Sequence, residues 1–146
     1  MEGVTDILLL MRRLFKLHER NLEKIRTKYR LSLLEIKIIS FLYNNPGKDT
    51  VGHISQLRMI PKGNVSQGVD SLIQRSLLRR AQDKQDRRRI HLTLTDASLP
   101  IVEDIRTANE AFRRQIFSGF SKEELAQFSQ LNQRLMQNLI QGLEGK

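Results

Sequence analysis

The chain has 146 residues, 39% of them hydrophobic, which suits one domain with a packed core. It contains no cysteine, which excludes disulfides, thiolate metal sites and cysteine redox sensing. The net charge is +9, and it is unevenly spread. Residues 1–30 hold eight basic and four acidic side chains, and residues 58–90 hold nine and three. Residues 31–57 and 97–146 are balanced. An excess gathered in one stretch is the footprint of a polyanion-binding surface, whereas a merely solvated face mixes its signs. The early apolar run Ile7 to Met11 is short and leads into Arg12-Arg13, so no signal peptide is read there. No stretch approaches a membrane span, and a cytoplasmic protein without membrane contact is expected.

The first 29 residues carry a seam of Val4, Leu8, Met11, Phe15, His18, Leu22, Ile25 and Tyr29. Its steps alternate four and three, the spacing of a long helix lying along another helix. Ser32-Leu33-Leu34-Glu35 is a capping box that opens a second helix to about Tyr43, and Asn44-Asn45-Pro46-Gly47 stops it. Thr50 caps a short third helix that ends near Arg58. After a turn at Met59-Ile60-Pro61-Lys62-Gly63, a fourth helix runs from about Lys62 to Arg75. Its buried face is expected to hold Val65, Val69, Leu72 and Ile73, and its open face Asn64, Gln67, Gly68, Ser71 and Arg75. Two short helices joined by a tight turn make a helix-turn-helix, with the second as recognition helix. Small polar side chains on its open face suit base edges; a featureless solvated helix would carry more Glu and Lys there.

Leu77-Leu78-Arg79-Arg80-Ala81-Gln82 and Ile90-His91-Leu92-Thr93-Leu94-Thr95 form the strands of a hairpin, the second alternating apolar and polar with period 2. Its tip, Asp86-Arg87-Arg88-Arg89, sets three guanidinium groups side by side, which suit phosphate oxygens and narrow minor grooves. The plainer reading is a solvated surface hairpin. Thr95 or Ser98 then caps a fifth helix, with Pro100 in its first turn, extending to about Phe117. Ser121-Lys122-Glu123-Glu124 is a second capping box, followed by a helix bearing Leu125, Phe128, Leu131, Leu135, Leu139 and Leu143. The fold class is thus mainly α with one small β-hairpin. The winged lobe is too small to cover the apolar stripes of the terminal helices, so a second subunit is expected to bury them.

In this order of elements the chain resembles the MarR family of transcriptional regulators. The resemblance rests on Leu31-Ser32-Leu33, on Asn64-Val65-Ser66-Gln67, and on Asp86-Arg87-Arg88 followed by Leu92-Thr93-Leu94-Thr95. It implies a winged helix-turn-helix lobe at residues 31–96 flanked by dimerisation helices at 1–30 and 97–146. It also implies a homodimer on pseudo-palindromic double-stranded DNA, usually a repressor and often released by a small-molecule effector. Carried over by position, Asn64, Ser66 and Gln67 meet the major groove, joined by Lys62, Ser71 and Arg75 on the same helix. Arg88 enters the minor groove, steadied by Asp86, while Arg87 and Arg89 meet phosphates or support the wing. Lys84 stands at the wing where the family often has Pro, Ser98 replaces a frequent Gly, and Pro61-Lys62-Gly63 replaces a hydroxyl-bearing cap. Gly68 costs about 1 kcal/mol relative to Ala in mid-helix, and packing against the third helix is the preferred reason for it.

His18 interrupts the apolar seam. It reads either as a pH-sensitive or ligand-contacting group or, preferably, as a hydrogen-bonded interface histidine. With Phe15, Phe41 and Ile105 it forms the expected ligand cleft, although Phe15, Phe41, Phe112 and Phe117 also read as ordinary core. No His, Asp or Glu set has helical metal spacing, and no GxSxG, P-loop or GxGxxG motif is present, so no metal, cofactor or catalytic residue is assigned. A winged-helix module that binds RNA or an acidic protein partner is the alternative function.

Overall fold

The computed structural model describes residues 3–145. They form two compact units, one ending at Phe112 and the other beginning at Arg113. The helices are α1 (Val4–Tyr29), α2 (Leu33–Asn44), α3 (Val51–Arg58), α4 (Lys62–Gln74), α5 (Leu99–Ile116) and α6 (Lys122–Glu144), and the strands β1 (Leu78–Gln82) and β2 (Ile90–Leu94) lie between α4 and α5. The fold is the expected one, helical with a single antiparallel hairpin. No helix among the described residues is long and apolar enough to cross a membrane.

The local signals act where their chemistry places them. Ser32 accepts from the Glu35 amide while the Glu35 carboxylate accepts from the Ser32 amide, a reciprocal capping box, and Ser121 and Glu124 repeat it at α6. Thr50 accepts from the His53 amide at the start of α3. Pro61 precedes α4 with no side-chain cap, as its lack of a hydroxyl requires. The start of α5 differs from expectation. A single 3-10 turn, Asp96–Ser98, precedes Leu99, and neither Thr95 nor Ser98 caps the α-helix itself. Thr95 instead donates its hydroxyl to the Ser76 carbonyl (2.6 Å), and the buried Ser98 hydroxyl donates to the Thr95 carbonyl (2.7 Å).

The core of the first unit is built on α2, whose Ile36, Ile38, Ile39, Phe41 and Leu42 are all buried. Around it pack Leu22 and Ile25 of α1, Ile54 of α3, Val65, Val69 and Leu72 of α4, Leu78 and Leu92 of the hairpin, and Ile101, Val102 and Ile105 of α5. Ile73 is only partly buried. The hairpin pairs Leu78 with Leu94 and Gln82 with Ile90, which turns Leu78, Leu92 and Leu94 to one face and His91 to the other. The seam of α1 divides at His18: Val4, Leu8, Met11 and Phe15 are exposed, whereas Leu22 and Ile25 are buried. In the second unit Phe117 meets Phe120 and Phe128 edge-on at 5.4 and 5.1 Å. The rest of α6 leaves Leu131, Leu135, Leu139 and Leu143 exposed.

Gly68 is buried, so it leaves the open face to which the sequence assigned it. A Cβ there would stand 2.6 Å from Ile38 Cδ1 and 3.5 Å from Leu34 Cδ2, so the close approach is to α2 and not, as expected, to α3. Gly68→Ala should therefore lower stability by about 1–2 kcal/mol despite the gain in helix propensity, read as a lower urea midpoint at unchanged slope. A midpoint equal to or above wild type would show that Ile38 yields without cost.

Candidate nucleic-acid interface

Helix α4 presents Lys62, Gly63, Asn64, Gln67, Asp70 and Gln74 as exposed residues, with Ser66 half-buried among them. This is the face opposite Val65, Val69 and Leu72, as the 3.6-residue period demands. Two expected members are occupied elsewhere. The Ser71 hydroxyl donates to Glu35 Oε2 (2.9 Å), and Glu35 is itself buried at the start of α2. The Arg75 guanidinium donates to the Arg30 carbonyl (2.9 Å) and to the Tyr29 carbonyl, so it caps the C-terminal end of α1. These contacts help fix where α4 sits. Asp70 was not foreseen. It lies one turn on from Ser66 on the exposed face and forms an ion pair with Arg80 of β1. That pairing offsets a carboxylate that would otherwise repel a polyanion.

The wing tip is organised by two carboxylates in series. Asp83 Oδ2 accepts from the amides of Gln85 (2.9 Å) and Asp86 (2.8 Å). Asp86 Oδ1 then accepts from the Arg88 amide (3.0 Å) and lies 3.4 Å from its Nε. Asp86 thus sits where it orients Arg88, whose side chain is otherwise 92% exposed. Gln82 donates to the Arg87 carbonyl (3.0 Å), and the Asp83 amide to the Arg89 carbonyl (2.9 Å), which closes the tip. Lys84, Arg87 and Arg89 are exposed, and among the described residues no ion pair engages them. Short polar turns of this kind hold the backbone and leave the cations outward.

The base of the wing contains a constellation that sequence spacing did not reveal. His91 Nε2 lies 2.7 Å from Asp83 Oδ1, and His91 Nδ1 lies 2.7 Å from Asp49 Oδ1. Hydrogen bonding to Asp83, then to Asp49, raises the His91 pKa above its ordinary value. Hydrogen bonds from His91 and from the Asp86 and Gln85 amides hold Asp83 down at about 2. Asp83 is legible in retrospect, because the hairpin register places it diagonal to His91. Asp49 lies 42 residues away, and no local pattern joins it to the strand. The carboxylates occupy opposite ring nitrogens and do not converge, and among the described residues no cluster of His, Asp and Glu is arranged to hold a metal ion.

The four residues expected to form a ligand cleft do not meet in one cavity. Phe41 is buried in the core, and its ring is unavailable. Ile105 borders a small recess with Ser40, Tyr43, Val102 and Asn109. Phe15 is 62% exposed, so it is not core within the protomer, and it borders an open groove with Leu8, Met11, Arg12, Lys16 and Lys37. His18 lies 2.9 Å from Asn109 Oδ1 through Nε2 and packs on Phe112, so its hydrogen bond is made within the protomer.

Residues 31–89 match the model of the MarR family. The chain is 29% identical over 124 residues to the HTH-type transcriptional regulator PecS of Dickeya dadantii, covering 84% of this chain and 75% of that protein. Its fold is shared with MepR of S. aureus, solved as a DNA complex (TM-score 0.75, 19% identity, covering 89% of this chain and 96% of that one). It is shared also with BpsR of Bordetella bronchiseptica, whose structure concerns regulation of DNA binding by 6-hydroxynicotinic acid (TM-score 0.70, 21% identity, covering 90% and 98%).

The division of α4 into structural and outward polar side chains is testable without a ligand. Ser71→Ala should cost about 1–2 kcal/mol, because it leaves buried Glu35 short of a donor, whereas exposed Gln67→Ala should stay within about 0.5 kcal/mol of wild type. Chemical denaturation of the two variants side by side measures this, and equal effects would contradict the assignment.

Proposed function

We propose that the chain, which is similar to the MarR family over residues 31–89 and to the transcriptional regulator PecS, is a winged-helix transcriptional regulator that acts as a homodimer on a pseudo-palindromic duplex DNA operator. Repression is the role that the family resemblance implies at such an operator. The observation that carries the reading is the wing tip, where Arg87, Arg88 and Arg89 project outward from a backbone that Asp83 and Asp86 hold in place. Guanidinium groups so placed suit a narrow minor groove and its flanking phosphates. On α4, Asn64, Ser66 and Gln67 supply short amides and a hydroxyl for base edges, and Lys62 a phosphate contact. Ser71 and Arg75 are left out of the interface because their side chains are already bonded to Glu35 and to α1.

The exposed apolar residues of α1 and α6 support a dimer. A 23-residue amphipathic helix with no buried residue is one whose apolar face awaits a partner. Two-fold symmetry would then set two α4 helices about 34–36 Å apart, one turn of B-DNA. An RNA or an acidic protein partner is the competing occupant of the same basic surface.

Selection from a random duplex pool by the pure protein should return inverted repeats with half-sites about 10 base pairs apart. On the selected duplex, Arg88→Ala should weaken binding by about 1–3 kcal/mol and flatten preference in A·T-rich flanks. Gln67→Ala should relax choice at one position of each half-site, while Lys62→Ala should weaken all sequences alike and reduce the salt slope. Enrichment of nothing, or of single-stranded RNA in a parallel pool, would remove the operator reading.

A second observation favours control by a small acid. The groove beside α1 joins apolar Leu8, Met11 and Phe15 to three cations, Arg12, Lys16 and Lys37, against one carboxylate, Glu19, a net positive lining that suits an aromatic ring bearing a carboxylate. Such a ligand lowers DNA affinity only by binding a DNA-incompatible arrangement better than the competent one. A hundredfold release corresponds to about 2.7 kcal/mol of coupling. In a titration with aromatic acids, Lys16→Ala should blunt release from the duplex. His18→Ala should leave release unchanged, since His18 is bonded to Asn109 and does not border the groove.

A further inference from the structure

On the reading that this lobe binds duplex DNA, we propose that His91 is a positioning residue for the wing, holding it in its DNA-binding pose only while the ring is an imidazolium shared by Asp83 and Asp49. The geometry requires the charge. A neutral imidazole has one N–H and one lone pair, so it can donate to only one of two carboxylates. Here carboxylate oxygens stand 2.7 Å from both ring nitrogens. The neutral ring would turn a lone pair toward one of them, which is repulsive at that distance. Both contacts are satisfied only when both nitrogens carry protons.

The two carboxylates belong to different parts of the lobe. Asp49 lies in the loop ahead of α3, and its carbonyl accepts from the Leu92 amide (2.8 Å), so the loop is anchored to β2 through both backbone and side chain. Asp83 lies at the end of β1, and its second oxygen caps the turn that leads to Asp86 and hence to Arg88. The imidazolium therefore ties the helix-turn-helix to the carboxylate that sets the wing tip. Among the described residues no other charged group bonds to the ring. The residue opposite it in the ladder is Ala81, and Arg79 and Arg89 share its strand face by alternation without bonding to it. Helix α2, which packs on β2, sends Glu35 to Ser32 and Ser71, and Lys37 to the groove beside α1.

The pH window follows in sign from these contacts. Both carboxylates raise the pKa of His91, so the bridge is complete below the ordinary histidine value of about 6.5 and is lost as pH rises through the raised one. Asp83 itself keeps its charge until pH falls toward about 2.

The test uses a duplex selected from a random pool by the wild-type protein at about pH 6, with affinity followed by anisotropy at constant salt. Wild-type affinity should fall about tenfold between about pH 6 and about pH 8.5, inside the limit of about tenfold per pH unit that one coupled proton sets. His91→Gln should be flat across that range, near the wild-type value at the alkaline end. Asp49→Asn, which leaves the Asp83 turn intact, should move the midpoint of the affinity profile and the NMR titration of the His91 ring to lower pH together. A role confined to stability would move the ring titration alone and leave the affinity profile where it was. A flat wild-type profile, or an equal decline in His91→Gln, would overturn the proposal. If no duplex is selected, the DNA-binding reading fails separately. The ring titration then still decides, because titration of His91 that leaves the Asp86 and Arg88 amide signals unmoved would show that the ring does not position the tip.

Discussion

Helix α4 reaches its place because Gly68 presents bare backbone to Ile38 and Leu34 of α2. Everything outward depends on that approach. With a side chain in the gap, either Ile38 would have to turn aside or α4 would move away from α2, carrying Asn64, Ser66 and Gln67 with it. Polar contacts then fix the helix where dispersion has brought it. Ser71 bonds to Glu35, and Arg75 bonds to the last carbonyls of α1. A buried carboxylate is tolerable at the start of α2 because it is satisfied there. Glu35 accepts from the Ser32 amide and from the Ser71 hydroxyl, next to the positive end of a helix dipole. One residue thus caps α2 and docks α4.

The wing is arranged on a different principle. A hairpin of two five-residue strands has little apolar surface to hold it, and Leu78, Leu92 and Leu94 are its share of the core. Charge and hydrogen bonding supply the rest. Arg80 pairs with Asp70 of α4, His91 with Asp49 ahead of α3, and Asp83 and Asp86 fold the tip in sequence. The acidic residues of this basic region therefore take up the protein's own donors, and cations such as Arg79, Lys84, Arg87 and Arg89 are left to face outward. The net positive charge of the region understates how sharply its signs are sorted in space.

The long helices show the opposite economy. Half of the α1 seam is used within the protomer, where Leu22 and Ile25 enter the core, and the other half is exposed from Val4 to Phe15. Helix α6 buries none of its leucines. Exposed apolar rows at regular helical spacing are costly in water and are the surface that the proposed second subunit would bury. His18 stands at the boundary between the two halves of α1, hydrogen-bonded to Asn109, where the environment changes from core to open face.

Local chemistry was sufficient to read the elements. Capping boxes at Ser32 and Ser121, the stop at Asn44 to Gly47, the period-2 strand from Ile90 and the arginine tip all act within a few residues, so the chain itself determined helix order, hairpin and the sorting of charge. What it could not determine was which polar side chains the fold would consume. Ser71 and Arg75 look like surface residues in the helical period, yet their partners, Glu35 and the end of α1, lie 36 and 45 residues away. Gly68 is assigned to the open face by period but to α2 by packing, and Phe41 reads as a cleft wall until the core closes over it. Asp49 and His91 meet only when the loop ahead of α3 is laid against β2. Periodicity and capping are properties of neighbours in sequence, whereas the commitment of a polar group is a property of neighbours in space, and only tertiary packing decides those.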